Sequence, residues 1–262
     1  MSETTFSRDA WLLGNEALPN FETAGLPQEV IAFHREHKDQ IIPAIRRGFI
    51  LPGTIVPSAV PVETVGYPIE ETDCFQWLGH MEKFAKDYFK AKVTLRDVFP
   101  LPARLPWKQA LPIFNPGLTN REMVDKALKS RKLSVYEYTD VMKFGSGANM
   151  SCLCIIERSA KPTLATMGLP PKFAKHWFAG RQTVSLNLCN YGIGMSLRHE
   201  IEKEFLDSQT VTWFPESTLS VGFVAYGGYG PGFGGVEFGC RGSGCERGDF
   251  GFREAICLKP KT

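Results

Sequence analysis

The chain lacks a strong net charge and a long apolar run. Its 30 basic and 28 acidic side chains leave a formal charge of +2, too small for a long-range field that would hold DNA or an anionic membrane. No run of about 18 apolar residues occurs, and the first residues are polar, so we expect neither a membrane span nor a secretory signal. These absences predict a soluble, cytoplasmic protein that binds no nucleic acid, and they leave export by another route open.

Familiar catalytic motifs are also missing. The glycine-rich stretches contain no GK[ST] and no following helix pattern, as a phosphate-binding loop would need. No G-x-S-x-G nucleophile turn occurs. His199-Glu200 resembles the start of a zinc-protease helix, but Lys203 occupies the position of the second ligand. We therefore assign no catalytic residue and expect no cofactor, which leaves enzymatic activity open and less favoured.

The seven cysteines, an odd number, argue against a disulfide framework and fit a reducing compartment. Cys240 and Cys245 lie in a glycine-rich segment that could turn both sulfurs inward, toward a soft metal or into a redox pair. We favour two ordinary cysteines there and keep the metal pair as the alternative. We assign Cys152 and Cys154 to opposite faces of a predicted strand. The interpretation as small buried apolar residues covers Cys74, Cys152, Cys154, Cys189 and Cys257.

Hydrophobic patterning predicts an α+β fold, with a mixed N-terminal part over residues 1–118 and a β-rich part over 119–262, or one compact unit. A helix is predicted after Pro27, β-like segments over 49–65, and a second helix over Phe75–Phe89 with Asp73 as N-cap. Five prolines between residues 99 and 118 indicate a wrapped loop at the seam. Thr119 and Glu122 form a capping-box pattern at the start of the next helix.

Beyond residue 134 the pattern alternates between strands and short helices. Strands are predicted over residues 135–138, 151–156, 183–188, 210–214, 219–226 and 252–258, and helices over 171–178 and 195–206. Twelve of the 25 glycines then lie between Gly222 and Gly251, interleaved with aromatic residues. Because glycine weakens regular strands, this segment is interpreted as short ribbons and loops fixed on a scaffold. Within it, Tyr226, Tyr229 and Phe233 are either a surface that stacks on a ligand or core aromatics that close over glycine.

The end of the chain carries a family resemblance. The residues Gly251-Phe252-Arg253 resemble the closing "GFR" strand of the C-type-lectin-like fold, which formylglycine-generating enzymes share with the variable proteins of diversity-generating retroelements. In those variable proteins, mutation of template adenines, mostly in AAY codons, diversifies the segment before this strand. Residues 238–250 match the resulting set of Gly, Cys, Arg, Ser, Asp and Phe, with Glu246 as the exception.

The resemblance implies a recognition protein that binds a protein or another macromolecule through its variable segment. The side chains expected to contact the ligand are Tyr226, Tyr229, Phe233, Phe238, Arg241, Arg247 and Asp249. The enzyme branch implies an alternative, a copper-dependent oxidase that uses Cys240 and Cys245, although the Gly-Gly-Ser-Trp context of that family is absent. The EPN and WND motifs of calcium-dependent lectins are absent as well. A third alternative is a structural subunit of an assembly, and oligomerisation stays open.

Overall fold

The computed structural model describes residues 66–137, 150–179, 181–220, 222–230, 232 and 234–261. Helices and strands both occur within these residues, and the C-terminal region is rich in sheet, so the predicted α+β fold is confirmed. The helix predicted after Pro27 and the β-like segments over 49–65 lie outside the described residues. No helix among those that the structure describes is long and apolar enough to cross a membrane.

The elements are numbered in chain order. The strands are β1 (Tyr67–Pro68), β2 (Arg104–Leu105), β3 (Ala110–Asn115), β4 (Ser134–Glu137), β5 (Cys152–Glu157), β6 (Val184–Ser185), β7 (Val211–Ser220), β8 (Phe223–Gly230), β9 (Gly235–Gly242), β10 (Phe250–Gly251) and β11 (Glu254–Leu258). The α-helices are α1 (Cys74–Phe84), α2 (Leu95–Val98), α3 (Asn120–Met123), α4 (Ala174–Phe178) and α5 (Leu188–Glu202). Turns of π-helix extend α1 through Ala85–Phe89 and α3 through Val124–Leu128, and single 3-10 turns lie at Ile69–Glu71, Lys129–Arg131, Leu164–Thr166 and Pro171–Phe173.

Two sheets carry most of the strands. The larger has five strands in the order β10–β7–β8–β9–β4, in which β7, β8 and β9 are antiparallel and the two outermost strands pair in parallel. The smaller has four antiparallel strands in the order β3–β5–β11–β6. A two-stranded ribbon joins β1 to β2. The last strand of the chain thus lies in the smaller sheet, while the glycine-rich segment contributes β8, β9 and β10 to the larger one.

Helix α5 is central to the core. Its residues from Leu188 to Arg198 are all buried, and it packs against α3, β3 and β8. Gly194 permits close approach to β3, because a β-carbon there would lie 2.6 Å from Cδ1 of Ile113. The predictions of a strand over 183–188 and a helix over 195–206 are only partly right, since the strand ends at Ser185 and the helix begins at Leu188. Burial on all sides removes the one-sided pattern from which a helix is recognised.

Helix α1 confirms the strongest periodic pattern of the sequence. Trp77, Leu78 and Met81 are buried on the face that joins the core. Asp73 occupies the N-cap position, but its side chain does not cap the helix. Its Oδ1 accepts a hydrogen bond of 2.7 Å from the backbone N–H of Ala110, and Oδ2 pairs with Arg158. The carboxylate therefore fixes the helix to the smaller sheet.

The proline-rich stretch over residues 99–118 is not only a loop, as predicted, because it contains β2 and the fully buried strand β3. Pro112 lies inside β3, opposite Ile155. Proline has no N–H to donate to a sheet, and it is tolerated in an edge strand, which pairs on one side only. Strand β3 is such an edge. The capping box of Thr119 and Glu122 is confirmed at the start of α3.

The predicted division at residue 118 stays a prediction, because residues 1–65 lie outside the described part. Within that part, one hydrophobic core includes residues on both sides of this position, among them Met81 and Ile113 before it and Tyr191 and Phe238 after it. Strand β3 pairs with β5 across the same boundary. Described residues on both sides of the predicted boundary therefore share the main core.

Candidate functional site

The larger sheet buries one face in the main core and turns the other toward a small second cluster. Phe214, Ala225 and Phe238 belong to the main core, whereas Trp213 and Tyr226 belong to the second cluster. Successive residues of a strand point to opposite faces, so alternate residues contact the main core and the second cluster. We call the face that carries Trp213, Tyr226, Glu237 and Arg241 the outer face.

Tyr226 is the anchor of the outer face. Its ring meets Trp213 and Phe250 edge to face, at centroid distances of 6.1 and 5.4 Å, and its hydroxyl donates a 3.0 Å hydrogen bond to Oε1 of Glu237. Burial and then the Glu237 carboxylate raise the pKa of Tyr226 to about 12, so the hydroxyl stays protonated. The ring lies directly over Gly239, where a β-carbon would overlap the hydroxyl. Tyr226 is thus a buried support rather than an exposed contact.

Tyr136 extends the outer face and is a residue that the sequence analysis missed. It lies in β4, opposite Glu237 in the parallel register, and its side chain is 38% exposed. Its Cε2 would lie 2.9 Å from a β-carbon at Gly235, so the ring covers this glycine as Tyr226 covers Gly239. Gly235 and Gly239, two positions before and after Glu237, are a sequence signal for aromatic rings that cover them. The pairing of β4 with β9, which brings Tyr136 to Gly235, is not visible in the sequence.

Two arginines are held above aromatic rings at the edge of the outer face. The guanidinium carbon of the exposed Arg241 lies 5.8 Å from the centre of the Tyr226 ring, and that of Arg247 lies 5.1 Å from the Phe250 ring. Arg247 also forms a two-pronged ion pair with Asp249, at 2.9 and 3.0 Å. Its guanidinium holds the pKa of that carboxyl below the usual range. Arg241 and Arg247 are both exposed, within reach of a partner.

The other predicted contact residues lie elsewhere. Phe238 is fully buried and faces the main core, where it meets the edge of Tyr191, so it is not available to a ligand at the surface. Tyr229 is half-buried and stacks on Phe205 at 4.0 Å, on the side of the main core. Phe233 lies outside the described residues. Core packing, the alternative that the sequence left open for Tyr226, Tyr229 and Phe233, fits the burial of Tyr226 over Gly239 and the contact of Tyr229 with the main core.

Cys240 and Cys245 pack on different sides of the larger sheet. Cys240 contacts the main core, and Cys245 contacts the second cluster. Within the described residues, no group of three or more His, Cys, Asp and Glu side chains is placed to hold a metal ion. The contacts of these two cysteines thus give no support to a shared copper ion.

The loop of residues 243–249 is held mainly through its backbone. Val211 N–H donates to the Asp249 carbonyl at 2.8 Å, Lys172 N–H donates to the Ser243 carbonyl at 3.1 Å, and Ser243 N–H donates to the Gly222 carbonyl at 2.6 Å. A β-carbon at Gly244 or Gly248 would meet no atom within 4 Å. The loop therefore offers positions whose side chains can change while its path is kept.

Arg253 of the GFR tripeptide has a different role. Its guanidinium pairs with Asp207 at 2.7 Å, and the two side chains are 2% and 0% exposed. Asp207 also accepts hydrogen bonds from the hydroxyls of Thr210 and Thr212, at 3.0 and 2.5 Å. This buried network connects the segment after β10 to the start of β7, so the tripeptide carries structure rather than a ligand contact.

Comparison of the chain with known proteins found no match among protein-family models, curated proteins or solved structures. The outer face and the loop that borders it are therefore interpreted from their own geometry.

Proposed function

We propose that the chain is a recognition protein, which binds a protein ligand through the outer face and the adjoining loop of residues 243–249. The observation that carries the proposal is the placement of Arg241 and Arg247 above the rings of Tyr226 and Phe250. A guanidinium already held over a ring loses less conformational freedom on binding than a free one. Arginine is also among the side chains that most often dominate the energy of protein interfaces.

The charges of the surface favour a polar protein ligand over nucleic acid. Glu237 and Asp249 lie among the arginines, so each sign of charge is offered within one small area. A uniformly basic surface, as phosphate backbones require, is not present there. Mixed charges around rigid aromatic groups supply the complementarity by which protein partners are distinguished.

The scaffold part of the proposal is a C-type-lectin-like fold whose segment before the GFR strand varies. Its support is the composition of residues 238–250 and the open space around Gly244 and Gly248. The DNA beside the gene tests it. We expect a near-copy of the segment that encodes residues 238–250, differing mainly at adenines, with a reverse-transcriptase gene nearby. Absence of both features from the flanking DNA would remove the retroelement part of the proposal.

Charge reversal tests the surface itself. The full chain is used to capture ligands from its source cells, a captured protein is purified, and its Kd is measured for wild type and for Arg241→Glu/Arg247→Glu. Because arginine anchors are worth about 2 kcal/mol or more each, we expect the Kd to rise at least about tenfold. The folded state should persist, since both side chains are exposed.

The matched control is Lys83→Glu/Lys86→Glu, which changes the net charge equally at exposed positions in and just after α1. We expect it to leave the Kd within about twofold, because rim charges far from a contact act only through the screened long-range field. Equal weakening by both double variants would show a general charge effect and contradict the assignment of the binding surface.

A further inference from the structure

Three cysteines lie together in the smaller sheet. Cys152 and Cys154 are two positions apart in β5, and side chains at this spacing lie on the same face of a strand, so their assignment to opposite faces is wrong. Cys154 is the direct partner of Cys257 in the antiparallel register of β5 and β11. Direct cross-strand partners share a face. The three thiols therefore lie on one side of the sheet, where Nδ2 of Asn190 in α5 lies 3.0 Å from the Cys154 sulfur.

The three thiols differ in their exposure. Cys154 is fully buried, Cys152 is partly exposed, and Cys257 is exposed, so the prediction of buried apolar residues is wrong for Cys152 and Cys257. Cys257 lines a cavity of about 300 Å³, to which no residue of the outer face contributes. Its strand pairs with β6 at Glu254 and Ala255, before Cys257 is reached. A reagent in solution can therefore approach Cys257, whereas the Cys154 sulfur is covered.

Backbone hydrogen bonds show which kind of pair Cys154 and Cys257 form. In an antiparallel pairing, the N–H and C=O of one residue point to the same neighbouring strand, and successive residues alternate between the two sides. Arg158 N–H donates to the Gln109 carbonyl at 3.0 Å, on the side of β3. Cys154, four positions before Arg158, therefore also directs its backbone groups toward β3 and away from β11.

The opposite strand gives the same result. Leu186 N–H donates to the Arg253 carbonyl at 3.0 Å, so Cys257, four positions after Arg253, directs its backbone groups to the side of β6 and away from β5. Cys154 and Cys257 thus form a non-hydrogen-bonded pair, whose α-carbons lie about 4.5 Å apart. A disulfide spans α-carbon distances of about 4.4 to 6.8 Å, so this pair can be joined with both strands in place.

The other two pairs of thiols do not meet this requirement. Cys152 is a diagonal neighbour of Cys257, at an α-carbon distance of about 7–8 Å, which a disulfide does not span. A bond between Cys152 and Cys154 would break β5, which pairs with a strand on each side. The Cys154 side chain hydrogen-bonds to both neighbours, but of the two it is Cys257 that can be joined to it within the sheet.

We propose that Cys257 is a modification site for low-molecular-weight disulfides such as oxidised glutathione, and that Cys154 converts the adduct into a cross-strand disulfide. In the first step the Cys257 thiolate attacks one sulfur of glutathione disulfide, the S–S bond breaks, and one glutathione thiolate leaves. In the second step the Cys154 sulfur attacks the Cys257 sulfur, and the mixed S–S bond breaks. The second glutathione leaves with the proton of Cys154.

The products of the two steps balance. Two protein thiols lose two electrons and two protons, and one glutathione disulfide gains them and becomes two thiols. The protein disulfide joins positions about a hundred residues apart, so it closes a long loop and removes entropy from the unfolded chain. In the folded chain the two strands are already paired. Oxidation of the glutathione pool therefore stabilises the fold through this link, and reduced glutathione reverses it.

The test equilibrates the full chain with mixtures of reduced and oxidised glutathione, quenches exchange with acid, and maps tryptic peptides without reduction. We expect a link between the peptide of residues 144–158, which contains Cys154, and that of residues 254–261, which contains Cys257. Cys152→Ser is the matched control and should form the same link. In concentrated urea the equilibrium constant of the link should fall at least about tenfold, because the strands are no longer held together.

Two further variants separate the steps. Cys154→Ala should stop at a single glutathione on Cys257, because it lacks the second thiol. Cys257→Ser should form no link, and its urea midpoint should not rise on oxidation, whereas that of wild type should. Near-ultraviolet circular dichroism checks that each variant is folded. The proposal is overturned if folded wild type forms no link in oxidised glutathione, if Cys152→Ser abolishes the link, if Cys154→Ala retains it, or if the link forms as readily in urea.

Discussion

Arg253→Met is expected to destabilise the protein by about 3–5 kcal/mol, because it leaves the carboxylate of Asp207 buried without its partner charge. Two threonine hydroxyls would still donate to this carboxylate, but they cannot replace a full positive charge. Urea unfolding of the full chain, followed by circular dichroism, measures the loss as a lower midpoint at unchanged slope.

A second substitution, Asp207→Asn, shows whether the unpaired charge is the cause. An asparagine would keep one acceptor oxygen for a threonine hydroxyl, place an amide N–H group that the other hydroxyl can accept, and remove the charge. It also tolerates the left-handed backbone at this position, where φ is 54°. We therefore expect Asp207→Asn/Arg253→Met to be more stable than Arg253→Met by about 1 kcal/mol or more. The exposed pair is the control, and Arg247→Met should cost at most about 1 kcal/mol. A cost for Arg253→Met as small as that of Arg247→Met would contradict the structural role of the buried pair.

Phe238→Ala is expected to lower the free energy of unfolding by about 3–5 kcal/mol, because it removes a fully buried ring and leaves a cavity. The ring fills space between the larger sheet and α5, where it meets Tyr191, and it lies 3.1 Å from a β-carbon position at Gly227. Neither neighbour can move in without breaking its own packing. Thermal and urea unfolding of the full chain check the value.

Phe223 provides a matched control in the same sheet. It begins β8 and is 47% exposed, so Phe223→Ala should change stability by no more than about 0.5 kcal/mol. For a ligand of the outer face, Phe238→Leu should leave the Kd unchanged, since leucine keeps the site apolar and the ring does not reach the surface. A stable Phe238→Ala protein that no longer binds the ligand would instead show that Phe238 contributes to the binding site.

The elements that the sequence predicts well are those whose signal is local. The apolar spacing of α1 and the Thr119–Glu122 capping box depend on neighbours within one or two helical turns. The structure differs from the prediction at elements whose conformation depends on distant parts of the chain. Pro112 is tolerated in β3 because no strand pairs on its other side, and this edge position is a property of the sheet.

The glycine-rich segment likewise combines a local signal with an effect of distant residues. Its composition predicts ribbons and loops, yet β8 and β9 are eight residues long each. Gly235 and Gly239 of β9 are compatible with a regular strand because tyrosine rings from the two neighbouring strands cover them. One of these rings, that of Tyr136, comes from about a hundred positions earlier, so no local pattern contains this compensation.

For the candidate sites, the sequence by itself determined which side chains are available, and the tertiary structure decided which face each one occupies. Arg241, Arg247 and Asp249 were predicted from the family resemblance of their segment, and the structure leaves the two arginines exposed. The separation of Tyr226 from Phe238 required the register of β8 and β9, which sets the parity of every position in the sheet. Cys152 and Cys154, which were predicted on opposite faces, lie on the same face of β5 because they are two positions apart. The placement of Cys154 opposite Cys257 likewise required the pairing of β5 with β11, because strands distant in sequence meet only when the chain has folded.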